Sequence, residues 1–229
     1  MMALTPQMRT LDMGEPGGGW NSPDHASELQ WRLRTTKVAV RILLAVVTSL
    51  FMLFLVTYIG RSQFSDWLNL TGPLGPLADT SILWWNTLAL ILASVSLQWA
   101  RMVSRKGHRT LVMVSTMTAG MLAGAFIVGQ MFLWGRLVEY GFGVAINPAI
   151  SFFYLLTGLH GFHIMGGLLA WARSMEKIWH KSPMQVINAG LEPCAIYWHY
   201  LLFIWLVLVS LLTSSPETYA TIAALCGLR

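Results

Sequence analysis

The stretch that decides the fold is Phe152-Phe-Tyr-Leu-Leu-Thr-Gly-Leu-His-Gly-Phe-His-Ile-Met-Gly-Gly-Leu-Leu-Ala-Trp-Ala172, an apolar run without a single charge. A bilayer has a hydrocarbon core of about 30 Å and takes ~20 helical residues to cross, so this run is long enough to span one. Two histidines, His160 and His163, sit in its middle. They are three residues apart and therefore share one face of a helix. A titratable pair at that depth is costly unless something compensates it.

Outward from this run, four more stretches reach spanning length. The five spans are expected over residues 38–59, 82–102, 111–133, 149–172 and 193–213. The predicted fold is therefore all-α: an integral membrane bundle of five transmembrane helices over residues 38–213. Residues 1–37 read as a flexible N-terminal tail, polar and glycine-rich, without the apolar centre of a signal peptide. Residues 214–229 read as a C-terminal tail, in which 218–228 is apolar enough for a short helix lying on a neighbour. Gly72, Pro73, Gly75 and Pro76 mark the longest connection, 60–81, as turns.

Composition points the same way. Of 229 residues 55% are hydrophobic and only 11% charged, where a soluble domain has about 25% charged. The net charge of +5 lies beside the apolar runs, which favours a membrane-surface role over nucleic-acid binding. Arg9, Arg32, Arg34, Lys37, Arg41, Arg101, Arg105, Lys106, Arg109, Arg173, Lys177 and Lys181 fall on one side of the expected bundle, and only Arg61, Arg136 and Arg229 on the other. The positive-inside rule then puts the N-terminus in the cytoplasm and the C-terminus outside; the resemblance given below implies the inner membrane of a bacterium, with the C-terminus in the periplasm. Trp84, Trp85, Trp99, Trp134, Trp171 and Trp179 fall near the expected interfaces, as amphipathic rings should. The two cysteines, Cys194 and Cys226, flank the last span and so lie on opposite sides of the membrane, which excludes a disulfide between them.

The embedded polar residues are neutral: Ser49, Asn86, Thr87, Ser94, Ser96, Gln98, Thr116, Thr118, Gln130, Thr157, His160, His163 and His199. No acid lies in the central part of a span, so a proton pump or cation channel lacks its relay. A transporter is disfavoured further by the absence of an internal repeat. The plain role for such residues is hydrogen bonding between helices, worth about 0.6–2 kcal/mol each. Gly120, Gly124 and Gly129 on the third span, with Gly158, Gly161, Gly166 and Gly167 on the fourth, suit close helix approach. His163 and His199 come out at similar depth. They are expected to meet directly, through Tyr197 or through water, either as a bonded seam or as ligands of one haem or metal.

Phe153-Tyr-Leu-Leu-Thr-Gly-Leu-His-Gly-Phe-His163 with Gly166-Gly167 resembles the signature of subunit III of the haem-copper terminal oxidases. Tyr197-Trp198-His199 with Trp205 is similar to that family's last helix, Asn86-Thr87 with Ser94 to its second-span pattern, and Gly129-Gln130 to its Gly-Gln pair. The resemblance covers about residues 38–213. It implies a five-span bacterial form of a non-catalytic subunit, in which Asn86, Thr87, Gln130, Thr157, His160, His163, Tyr197, Trp198 and His199 bond between helices. It implies partners in a catalytic subunit I, which holds the haem and copper, and a subunit II, with phospholipids bound at the membrane. Arg101, Arg105, Lys106 and Arg109 are the candidates for lipid head groups. The sequence departs from the family where acids are usual: Leu50, Leu133 and Leu202 stand at or beside those positions. This departure suits an accessory subunit of an unusual oxidase, of a related nitric oxide reductase or of another membrane complex. A haem- or metal-carrying electron-transfer subunit using His163 and His199 is the alternative from another class.

Overall fold

In a computed structural model, residues 23–72, 75–225 and 227 are described. They form six helices and, among the described residues, no strand: α1 (Pro23–Arg61), α2 (Ser81–Arg105), α3 (Arg109–Glu139), α4 (Pro148–Trp179), α5 (Met184–Leu212) and α6 (Pro216–Leu225). The first five, counting α1 from Arg34, are long and apolar enough to cross a membrane. The expected all-α bundle is what forms, and the chain is a multi-pass membrane protein.

The helices outrun the expected spans because hydrogen bonding continues past the hydrocarbon edge into polar sequence, and ends only where the local chemistry stops it. α1 begins at Pro23, inside the stretch read as a tail, while residues 1–22 lie outside the described residues. Gly107 (φ 82°) and Gly141 (φ 85°) take the left-handed conformation just past α2 and α3, where a Cβ is penalised. After α3 the Phe142 N–H donates back to the Leu137 carbonyl at 2.8 Å, the 6→1 bond of a Schellman closure. α4 ends the same way, with Ser182 N–H on the Lys177 carbonyl at 3.1 Å, but here the left-handed residue is Lys181 (φ 53°).

α4 starts at Asn147. Its Oδ1 caps the helix by accepting from Ala149 N–H at 2.9 Å, and Pro148 follows at the first helical position, where its missing N–H costs nothing. The same side chain donates to the Asp66 carbonyl at 2.8 Å and accepts from Leu68 N–H at 3.4 Å. One asparagine thus starts α4 and pins the long α1–α2 connection beneath it. That connection folds as turns, closed by Leu77 N–H on the Leu70 carbonyl. A side chain at Gly75 would run into the Leu70 and Asn69 carbonyls. Pro73 lies outside the described residues.

α2, α3, α4 and α5 form a closed ring of four helices, and α1 lies outside it against α5 and α4. α6, the short helix read from the C-terminal tail, packs on α1 through the Tyr58 and Tyr219 hydroxyls, 3.2 Å apart. Cys194 is buried with a free thiol, and Cys226 lies outside the described residues.

Candidate functional site

The ring of four helices is filled at one level by a polar and aromatic layer, and six of the motif residues meet there. α2 supplies Asn86 and Thr87, α3 supplies Phe126 and Gln130, α4 supplies Thr157 and His160, and α5 supplies Trp205. Asn86 Nδ2 donates to Gln130 Oε1 at 3.3 Å. The Trp205 indole N–H donates to Thr87 Oγ1 at 3.0 Å, while that hydroxyl donates to its own helix at the Leu83 carbonyl, 2.7 Å away. The Trp134 N–H donates to Thr157 Oγ1 at 3.2 Å. Thr157 in turn donates to the Phe153 carbonyl at 2.7 Å. Each threonine therefore turns a hydroxyl that its helix has already oriented into an acceptor for an indole on the next helix.

His160 is the centre of this layer. It is 0% exposed and stacks on Trp205 with centroids 5.1 Å apart and planes 29° apart. Phe126 meets it edge-on at 5.9 Å and Phe51 of α1 at 6.4 Å. Neither ring nitrogen has a hydrogen-bond partner among the described residues. A polar group without a partner in an apolar core carries a penalty, partly offset here by the aromatic faces.

His163 and His199 do not meet as expected. His163 Nδ1 is 2.8 Å from the Leu159 carbonyl of its own helix, and its ring packs on Phe51 at 5.6 Å. His199 Nδ1 bonds Ser94 Oγ, and His199 Nε2 lies 3.2 Å from Gln98 Oε1, both on α2. The reason is the helical period. Residues 197 and 199 point ~200° apart on α5, so Tyr197 faces α4 and His199 faces α2. In place of the expected histidine pair, Tyr197 of α5 donates from its hydroxyl to the His163 carbonyl of α4 at 3.1 Å. Its ring crosses Gly167, where an added Cβ would stand 3.2 Å from it. Trp198, next to it, is buried. With the two imidazoles turned to different helices, the pair does not form the facing ligands of one haem. Among the described residues no group of three or more His, Cys, Asp or Glu is placed to hold a metal ion.

The glycines divide by use. Gly129 lets α3 approach α2, since a side chain there would fall on Asn86 Oδ1. Trp171 of α4 lies across Gly120 of α3, and Trp134 of α3 lies across Gly158 of α4 at 3.4 Å from a built Cβ. The Trp171 N–H donates to the Thr116 carbonyl at 2.7 Å. These two indoles, expected at the interfaces, turn inward because a glycine faces each of them, whereas Trp84, Trp85, Trp99 and Trp179 are exposed. At Gly124 and Gly161 an added Cβ would meet nothing within 4 Å among the described residues.

At the end of the bundle where the basic residues gather, they split as well. Glu192 pairs with Lys37 at 3.4 Å and with Arg101 at 3.3 Å, tying α5 to α1 and α2. The Arg109 guanidinium donates to the Ile178 and Ser182 carbonyls at 3.2 Å and 2.5 Å, holding the α4–α5 turn. Arg105 and Lys106 are exposed. At the other end Asp66 accepts from Arg61 through two bonds of 2.7 Å and 2.5 Å, which hold its carboxyl below the usual range. The Phe51 and Phe126 walls of the His160 layer carry no polar signal, and a sequence reading centred on polar motifs passes over them. Trp205 was within reach through its place in the last-helix motif.

Residues 33–213 match the family model described as Cytochrome c oxidase subunit III. Among curated relatives, the chain is 32% identical over 135 residues to the Cytochrome c oxidase subunit 3 of Thermostichus vulcanus, covering 56% of this chain and 62% of that one. It is 26% identical over 121 residues to the Cytochrome bo(3) ubiquinol oxidase subunit 3 of Pseudomonas aeruginosa, covering 53% and 58%. It is 34% identical over 88 residues to the Cytochrome c oxidase subunit 3 of Synechocystis, covering 35% and 36%. The matched stretches thus span less than two thirds of each of these relatives.

Proposed function

Because this chain belongs to the cytochrome c oxidase subunit III family, we propose that it is a non-catalytic, structural subunit of a bacterial respiratory haem-copper oxidase. The observation that carries this reading is the use made of the embedded polar groups. Asn86, Thr87, Gln130, Thr157, Tyr197 and His199 all bond helix to helix, and among the described residues no three His, Cys, Asp or Glu are clustered as metal ligands. Such bonds fix the arrangement of the helices and present a rigid outer surface to other membrane chains. In this reading haem and copper reside in a catalytic subunit I, which packs beside this chain together with subunit II. The N-terminal side faces the cytoplasm and α6 the periplasm, following the basic residues. Arg105 and Lys106, with Arg101 and Arg109 behind them, line the inner surface where anionic head groups bind at about 1 kcal/mol per basic residue.

The test is purification from native membranes through a tag on this chain. The expected result is a complex whose other chains carry the haem spectrum, while the separated subunit shows no Soret band. A Soret band in the separated chain that disappears on substituting His199 would overturn the structural reading. Loss of haem-bearing partners from a gently solubilised preparation would overturn membership of the complex.

A further inference from the structure

α5 leaves one stripe uncovered. Ile196, His199, Phe203 and Leu206 follow one another at three- and four-residue steps and are exposed. α2 packs on one side of this stripe, through the bonds of His199 to Ser94 and Gln98. α1 packs on the other, through Thr48 and Tyr200, whose hydroxyls are 2.7 Å apart. α1 and α2 do not pack broadly on each other, so the stripe is the floor of a groove. The Lys37–Glu192–Arg101 bridge closes its inner end.

His199 is seven residues past Glu192, ~10 Å along the helix toward the bilayer centre. An exposed imidazole at that depth is unfavourable against lipid tails. The hydrogen bonds around it also have a direction. Gln98 Oε1 accepts only, so His199 Nε2 carries the proton and His199 Nδ1 accepts from the Ser94 hydroxyl. The chain therefore runs Ser94 to His199 to Gln98. It ends on the Gln98 amide N–H donors, which have no acceptor among the described residues, at a half-buried position facing the groove. A lipid tail offers no acceptor, and the backbone carbonyls of a passing helix are engaged in that helix.

Resting on the subunit reading, we infer that the α1–α2 groove is the seat of a transmembrane helix from a partner chain, whose side-chain carboxyl or carboxamide oxygen accepts from Gln98. The apolar floor supplies the packing surface, and the Ser94–His199–Gln98 chain fixes the depth at which the partner helix stops.

The experiment places the photocrosslinker p-benzoylphenylalanine at Phe203 in the native complex, with the same probe at Met121 of α3 as control, and sequences the crosslinked peptides. The expected adduct at Phe203 is a membrane-spanning segment of another chain with an oxygen-bearing side chain within a turn or two of the crosslink. Gln98→Glu keeps the acceptor for His199 and removes the donors; Gln98→Leu removes both. Each is expected to lower the yield by about threefold or more, the worth of one interhelical hydrogen bond, Gln98→Glu without shifting the melting temperature of the separated subunit and Gln98→Leu with a fall in it, since that variant also removes the α2–α5 bond to His199. Adducts with lipid only, adducts with a second copy of this chain, or yields unchanged by both substitutions would overturn the inference. If haem-bearing chains co-purify while Phe203 crosslinks only to lipid, the groove assignment fails and the subunit reading stands. If no haem-bearing chain co-purifies, the subunit reading itself fails.

Discussion

His160 shows how far packing can stand in for hydrogen bonding. Its ring is walled by Trp205, Phe126 and Phe51, with both nitrogens unmatched among the described residues. Replacing it with an aromatic of similar shape removes a polar group that gains nothing. His160→Phe is expected to melt within about 1 kcal/mol of the parent, while His160→Ala opens a cavity and loses about 2–4 kcal/mol, both read as unfolding midpoints in detergent. Lys181 is the opposite case, a residue chosen against its backbone. It holds the left-handed turn after α4 where glycine is favoured. Lys181→Gly is expected to raise stability by about 0.5–1 kcal/mol in the same assay. Asp66 gives a pH signature. Its two bonds from Arg61 depress its folded pKa, so its contribution is fully present above the ordinary aspartate value of about 4 and is lost as pH falls through the lower folded value. Protection of the 62–72 loop, read as hydrogen-exchange protection factors corrected for the intrinsic pH dependence, is expected to be flat from neutral pH down to about 4 and to fall below it.

Between elements, the bundle is held by large residues crossing glycines and by caps that serve two elements at once. Trp171 over Gly120 and Trp134 over Gly158 make α3 and α4 interlock reciprocally, and Gly129 does the same for α2 through Asn86. Gly129→Ala places a methyl group on the Asn86 amide, which breaks the bond to Gln130 and is expected to cost about 1–3 kcal/mol. Asn147→Ala removes a helix cap and the anchor of the α1–α2 loop together. The cap alone is worth about 1 kcal/mol, and the expected loss exceeds that, with faster proteolysis of residues 62–72 as the check. The existence and order of the spans were legible because a bilayer demands long apolar runs, and the sequence contains five. That Asn86, Thr87, Gln130 and Thr157 sit at embedded positions was legible as well, but not that they share one layer around His160. What stayed out of sight was rotation about the helix axes. Depth along α4 and α5 suggested that His163 and His199 meet, but the ~100° step per residue sends them to different neighbours. The same limit hid which tryptophans face lipid and which face a glycine.

At the scale of the whole molecule, the ring of α2 to α5 is the stable body and α1 is an attached strut. α1 touches α5, α4 and α6, and its three main fastenings are Lys37 to Glu192, Thr48 to Tyr200 and Tyr58 to Tyr219. Every one of those partners lies in the last part of the chain. During synthesis α1 leaves the ribosome before α4, α5 and α6, the helices it rests on. It must therefore wait in the bilayer as a separate helix, as membrane proteins that insert first and pack later can do. Nascent chains arrested before α5 are expected to leave Thr48 open to crosslinking by lipid-borne probes, and chains released after α6 are expected to protect it. The order of translation thus places docking of α1 after the synthesis of α5 and α6, and couples the two.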